Sequence, residues 1–260
     1  LPVVNHKDYF AKIGDDHKFP IEKFGELANY LIKKKIVKKF YEPYPCSEET
    51  LKRAHSEDYI KNIKNKTLDK NDVKKIGFPL VDSVVKRSLV ATGGTVLASK
   101  LAIKYGLACN TAGGSHHAHF EGGAGYCIFN DVAVAAQYLL ERGLAGKILI
   151  VDLDVHQGNG NSEIFKDNRN VFTFSMHSKS NYPAKKSKSD LDVELEDNLE
   201  DETYIKNLTY YLGELNKKNF DFVFYIAGVD IHFNDRLGKL NISDEGIKLR
   251  DEIVVENFFA

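Results

Sequence analysis

Cysteine is scarce in this 260-residue chain, with only Cys46, Cys109 and Cys127. None of them forms a C-x-x-C pair. So small and odd a set argues against a disulfide framework and against a cysteine-type zinc knuckle, and it fits a reducing cytoplasm. Long apolar runs are absent too. No stretch of 18 uninterrupted apolar residues occurs, so no membrane-spanning helix is expected. The opening LPVVNHKDYF lacks the basic region and apolar core of a signal peptide. It also lacks an initiator Met, so at least one further residue is expected before it. Excess charge of either sign is missing: the formal net charge is −1. Nothing in that balance calls for nucleic acid or an anionic membrane as a partner. No internal repeat is visible.

What is present is the make-up of an ordinary globular protein. Hydrophobic residues reach 43%, enough to bury a core, against 28% charged. Lysine-rich segments at 33–39, 62–75 and 185–190 read as solvated helix faces and loops. The pattern otherwise alternates helices with short apolar strands. Residues 80–105 read as helical, broken near Thr92-Gly93-Gly94. Residues 106–110 form a short strand candidate that runs into a glycine-rich loop. A helix is expected over 131–142, capped by Asn130 or Asp131 and stopped by Gly143. Strands are expected over 147–155, 171–175 and 221–227. Helices are expected over 202–218 and, behind Ser243, over 244–258. Such alternation predicts βαβ units. The expected fold is α/β, a single domain over residues 1–260, with a central, mostly parallel sheet in a three-layer arrangement flanked by helices. Sites in such sheets form at the carboxyl ends of strands.

Three polar clusters fall at such ends. In VDLDVHQGNG, Asp152, Asp154 and His156 alternate with Val151, Leu153 and Val155. On an extended strand the three polar side chains share one face. Two carboxylates so close would repel and be costly to desolvate, and a divalent cation removes both difficulties. A solvated strand end with capping aspartates is the alternative. The second cluster, GGSHHAH, puts His116 and His117 behind paired glycines, as a metal clip, a solvated loop or acid–base groups. In the third, Asp230 follows an apolar strand and Ala227-Gly228, well placed for a further ligand. Asp235 nearby reads better as a turn cap. The combined inventory suits metal-assisted hydrolysis, with an open metal position and a histidine that moves a proton.

GGSHHAHFEGGAGYCIFNDVAVAA, VDLDVHQGNG, FTFSMHS and AGVDIHFNDRLG, in that order, resemble the successive motifs of the histone deacetylase family. The likeness covers nearly the whole chain and is nearest the class IV and bacterial branch. It implies the arginase–deacetylase fold and a zinc-dependent deacylase acting on acetyl- or longer acyl-lysine. Position by position, it implies Asp154, His156 and Asp230 as ligands of Zn²⁺, or of Fe²⁺ in the cell. His116 and His117 would be the tandem pair beside the metal-bound water, with His117 the general base and His116 its electrostatic or proton-relay partner. Asp152 would orient His116. Asn159 stands where many relatives have Asp. An amide can orient an imidazole but cannot offset its positive charge, so a lower His117 pKa is expected. Gly125 and Tyr126 would line the channel for the acyl-lysine stem. A structural K⁺ is implied at Asp152, Ser175 and Met176 with the backbone of Asp154 and His156. A second monovalent site is implied at Phe165, Asn168 and Val171.

One feature of the family is missing. A Gly-Gly-Tyr turn, whose Tyr would hydrogen-bond the developing oxyanion, does not occur in these 260 residues. The expectation is that the protein continues beyond Ala260. Other functions are compatible with the same motifs. A small acyl-amine such as an acetylpolyamine could be the substrate, or the chain could bind acyl-lysine without turnover. A binuclear manganese ureohydrolase would share the fold but fits the motifs less well.

Overall fold

The computed structural model describes residues 1–14 and 16–258. The chain forms two compact units, Leu1–Leu144 and a second that begins at Ala145. In the first unit, β1 (Val3–Val4) is followed by α1 (Lys23–Lys33), α2 (Glu48–Leu51), α3 (Glu57–Asn65), α4 (Lys70–Ile76) and α5 (Asp82–Tyr105). Then come β2 (Cys109–Asn110) and α6 (Asp131–Glu141). β1 and β2 pair in parallel, Val3 opposite Cys109. Ser47, Ser56 and Asp69 cap α2, α3 and α4 by accepting from backbone N–H groups of their first turns.

α5 runs unbroken for 24 residues through Thr92-Gly93-Gly94, against the expected break. The two glycines answer a packing need. A Cβ on Gly93 would collide with the backbone oxygen of Tyr44, and one on Gly94 with the Tyr9 hydroxyl. The helix tolerates their low propensity because neighbouring chain lies against its backbone there.

The second unit contains β3 (Ile148–Asp152), α7 (Asn159–Phe165), β4 (Val171–Ser178), β5 (Leu191–Leu195), α8 (Asp201–Asn216), β6 (Phe222–Ile226) and α9 (Asp244–Phe258). Its sheet has the order β5-β4-β3-β6, and every pairing is parallel. Central β3 reads Ile-Leu-Ile-Val-Asp and is buried throughout, as a strand with neighbours on both edges should be. Leu149, Val151, Phe174, Met176 and Val193 form a core with Leu208, Leu212 and Leu215 of α8 and Val254 of α9. The fold is therefore α/β, with a parallel sheet flanked by helices. No helix among the described residues is long and apolar enough to cross a membrane.

Several boundaries differ from expectation. β3 stops at Asp152 instead of running to Val155, and β4 extends to Ser178. α7 and β5 were not expected. Segment 185–190 is less solvated than its lysines suggest. Lys186 Nζ donates to the carbonyls of Asn181 and Pro183, and Asp190 accepts from Thr173 N and Oγ1.

Gly93→Ala separates helix propensity from packing. Propensity alone would stabilise α5 by about 1 kcal/mol. The collision with the Tyr44 carbonyl should outweigh it, for a net loss of about 1–3 kcal/mol in urea unfolding.

Candidate metal centre and histidine loop

Beyond β3 the chain leaves the extended form, yet its burial still alternates. Leu153 and Val155 are fully buried, while Asp154 and His156 are partly open. The loop is held by its own polar groups. Asp154 N donates to Asp152 Oδ1 (3.3 Å), and His156 N donates to Asp154 Oδ1 (2.9 Å). Asp230 arrives from the loop after β6, and its Oδ1 accepts from Val155 N at 2.9 Å. Gly228 makes that approach possible, since a Cβ there would sit 2.5 Å from Asp154 Oδ2 and 2.6 Å from its Cα. Gly158 likewise leaves room for the Asp152 carboxylate.

Asp154, His156 and Asp230 thus form one cluster, with a ligand atom of each within 4.8 Å of the others. His156 Nδ1 lies 2.9 Å from Asp154 Oδ1 and 3.0 Å from Asp230 Oδ2. Ligands held about 2.0–2.1 Å from a tetrahedral zinc stand roughly 3.3 Å apart, so the donor set and its spacing fit such an ion. The electrostatics agree. Burial disfavours charge on His156, but hydrogen bonds to Asp154 and Asp230 outweigh it and raise its pKa to about 10. Burial, then the charge of Asp154, push Asp230 up to about 6. The cluster retains a proton that its members would otherwise release, and a dication would compete for the same place.

Around this cluster, Asp152 is buried at the end of β3, in register with Ser175 of β4. Ser175 Oγ lies 2.9 Å from His177 Nδ1 and accepts from Gly158 N at 3.4 Å. Met176 is fully buried in β4. Asn159 opens α7. The carbonyls of Phe165 and Asn168 accept from the N–H groups of Asn168 and Val171. Gln157 uses its whole amide. Its Nε2 donates to Ser187 O and Asp192 Oδ1, each at 2.8 Å, and its Oε1 accepts from Ser187 N at 2.8 Å. Asp235 is a turn cap, as expected, accepting from the N–H groups of Leu237 and Gly238.

In the first unit, His116 and His117 are both buried, their ring centroids 4.1 Å apart. Gly125 passes close beneath His117, and a Cβ there would lie 2.5 Å from His117 Cδ2. Gly125 and Tyr126 both take left-handed φ, +54° and +65°. That turn aims the Tyr126 ring at Phe19, Phe78 and His17, with centroids 5.2–5.8 Å apart.

Sequence reasoning did not single out what holds the histidine loop. Asn130 caps α6 by accepting from Ala133 N. This frees Asp131, fully buried, to accept from Gly114 N (3.1 Å), Ser115 N (2.8 Å) and Thr95 Oγ1 (2.5 Å). Asn130 Nδ2 donates to Ala118 O. Buried His55 lies with Nδ1 2.9 Å from His119 O and accepts from Asn130 N at Nε2. The Asn-Asp pair before an apolar helix was the only signal for Asp131. Nothing in the local sequence marks His55.

The profile of the histone deacetylase domain matches residues 17–258. The chain belongs to the histone deacetylase family. An uncharacterized protein from Picosynechococcus is 44% identical over all of this chain and 88% of its own length. Histone deacetylase 2 of Arabidopsis thaliana is 32% identical, over 94% of this chain and 66% of that protein. The acetoin utilization protein AcuC of Staphylococcus aureus is 29% identical, over 82% and 60%. The chain thus spans about two thirds or less of these last two relatives. The structure of a deacetylase homologue from Aquifex aeolicus superposes with a TM-score of 0.85 at 26% identity, covering 99% of this chain and 76% of that one. A homologue complexed with SAHA gives 0.86 with the same coverage. The arginase–deacetylase fold expected from the sequence is the one observed.

Two measurements test the supports of the histidine loop. Burial lowers the His55 pKa to about 4, from an ordinary 6.5. Below pH 6.5 the unfolded chain takes up a proton that the folded chain refuses. Stability should therefore fall as pH drops from 6.5 towards 4, by at most about 3 kcal/mol. A His55→Gln variant should lose that part of the pH dependence in chemical unfolding. Asp131→Ala should speed amide hydrogen exchange at Gly114 and Ser115, and cost about 1–3 kcal/mol, because the buried Thr95 hydroxyl and two half-buried backbone N–H groups lose their acceptor.

Proposed function

We propose that this member of the family is a zinc-dependent deacylase that hydrolyses N-acyl-lysine amides, acetyl or longer. The observation that carries the reading is the convergence of Asp154, His156 Nδ1 and Asp230 on one point. The family match runs from residue 17 to residue 258, which supports reading the chain as one catalytic domain. Asp154, His156 and Asp230 would hold the zinc, or ferrous iron in the cell. Bound there, the metal supplies Lewis acidity, polarising the amide carbonyl and acidifying a water.

The remaining steps fall to the chain's own side chains. His117 takes the proton of the attacking water and returns it to the departing lysine amine, with His116 as its electrostatic or relay partner. Their burial supports this, because a dry site strengthens every polar interaction in it. Asp152 orients His116. Asn159 tunes His117 without adding negative charge. Gly125 and Tyr126 wall the channel for the acyl-lysine stem. A structural K⁺ is proposed at Asp152, Ser175 and Met176, with the carbonyls of Asp154 and His156. The in-register pairing of Asp152 with Ser175 supports it. A cytoplasmic location accords with so sparse and odd a set of cysteines. The partner is an acyl-lysine protein or a small acyl-amine.

The protein should carry one zinc per chain by elemental analysis, and Asp154→Asn should lose it. Acetyl- and long-acyl-lysine peptides and acetylspermidine should be compared as substrates. His117→Ala should lower kcat/KM on the preferred one by about 10²–10⁴. Wild-type turnover of lysine peptides no higher than that of His117→Ala would sink the lysine reading. Turnover of acetylspermidine alone would move the substrate to small acyl-amines.

A further inference from the structure

Arg250 of α9 has no solvent exposure and is among the largest fully buried side chains. A guanidinium in a core is costly, and an apolar side chain of similar volume often serves stability better. Something other than bulk packing must therefore account for it.

Its contacts indicate what that is. Nε donates to Asp251 Oδ1 at 2.8 Å, and a second nitrogen of the fork lies 2.8 Å from the same oxygen. Tyr225 of β6 donates its hydroxyl to that oxygen at 2.5 Å and places its ring 5.8 Å from the guanidinium carbon. Burial pushes the phenols of Tyr225 and Tyr204 well above their ordinary pKa, so both stay neutral. Asp251 is the counter-charge. With Nε hydrogen-bonded to Asp251 and NH2 held beside it by charge alone, NH1 donates to the carbonyl of Gly228 at 2.5 Å.

Gly228 is the residue that β6 delivers to the metal cluster. Its Cα lies against Asp154, leaving no room for a side chain, and Asp230 follows two residues on. No apolar side chain could grip that carbonyl, and a lysine could not hold Asp251 and Gly228 in one planar fork. We infer that Arg250 is a positioning residue for the metal centre. It clamps the Ala227-Gly228 corner from the last helix, so that Asp230 meets Asp154 and His156 at ligand spacing. The inference rests on the zinc reading above.

The test is metal affinity, measured by competition with a chromophoric chelator, and the visible absorption of the Co²⁺-substituted protein, which reports ligand geometry. Arg250→Met should weaken zinc binding by about 10–100-fold and change the cobalt spectrum. Val254→Ala, a buried substitution on the same helix, is the control for mere loss of stability. It should lower the unfolding midpoint while leaving zinc affinity and the cobalt spectrum unchanged. Arg250→Lys keeps the charge but only a single donor nitrogen, and should lose about tenfold in affinity. It carries the test if the Met variant does not fold. Zinc affinity and cobalt spectrum equal to wild type in the folded Arg250 variants would overturn the inference alone. A wild-type protein that takes up no zinc would overturn the metal reading and this inference with it.

Discussion

Asp154 and Asp230 both direct a carboxylate oxygen at Nδ1 of His156, so two negative charges and one ring nitrogen share a few ångströms of half-buried space. Much of the second unit can be understood as what permits this concentration. Backbone N–H groups of Asp154, Val155 and His156 supply positive dipole to the carboxylates of Asp152, Asp230 and Asp154. Two glycines remove the side chains that would hold the segments apart. The parallel register sets Asp152 between Ser175 and Ile226, so the loops after neighbouring strands leave the sheet at the same edge. Without that framework the charges would separate and take on water.

The two loops that carry the candidate site residues are held in different ways. Asp131 can only accept, and it draws three donors onto one buried carboxylate, fixing the start of the His116–His117 segment from below. Gln157 both gives and takes, tying the segment after His156 to Ser187 and Asp192. The first arrangement gathers backbone and hydroxyl donors on a carboxyl group whose pKa burial raises. The second fixes geometry through an uncharged amide, one of whose partners is the carboxylate of Asp192.

Much of this was legible in the sequence, and what was missed follows a pattern. The alternation across VDLDVHQG was real, although its cause was incomplete. The strand ends at Asp152, and the turns that follow still bury Leu153 and Val155. Hydrophobicity reported which residues go inside, not the backbone shape that takes them there. The expected break at Gly93-Gly94 failed because propensity is local, whereas the need for bare backbone came from Tyr44 and Tyr9, far off in the chain. β5 escaped notice because five residues with two acids, next to lysines and serines, look like loop until β4 pairs with them. Among candidate site residues, Asp154 and His156 stood out by their short spacing, and Asp230 by its place just past an apolar strand. His55 and Asp131 have partners more than ten residues away, as Arg250 has in Gly228, and no periodicity records that.

The amide of Gln157 is fully spent on Ser187 and Asp192, and Lys186 is spent on the carbonyls of Asn181 and Pro183. The stem of this loop is thereby locked to the segment that bears His156. Lys185 and Lys188 at its tip stand exposed. Adjacent positions are thus bound to very different degrees. A change in the stem therefore disturbs the segment that bears His156, whereas a change of charge at the tip touches none of these bonds.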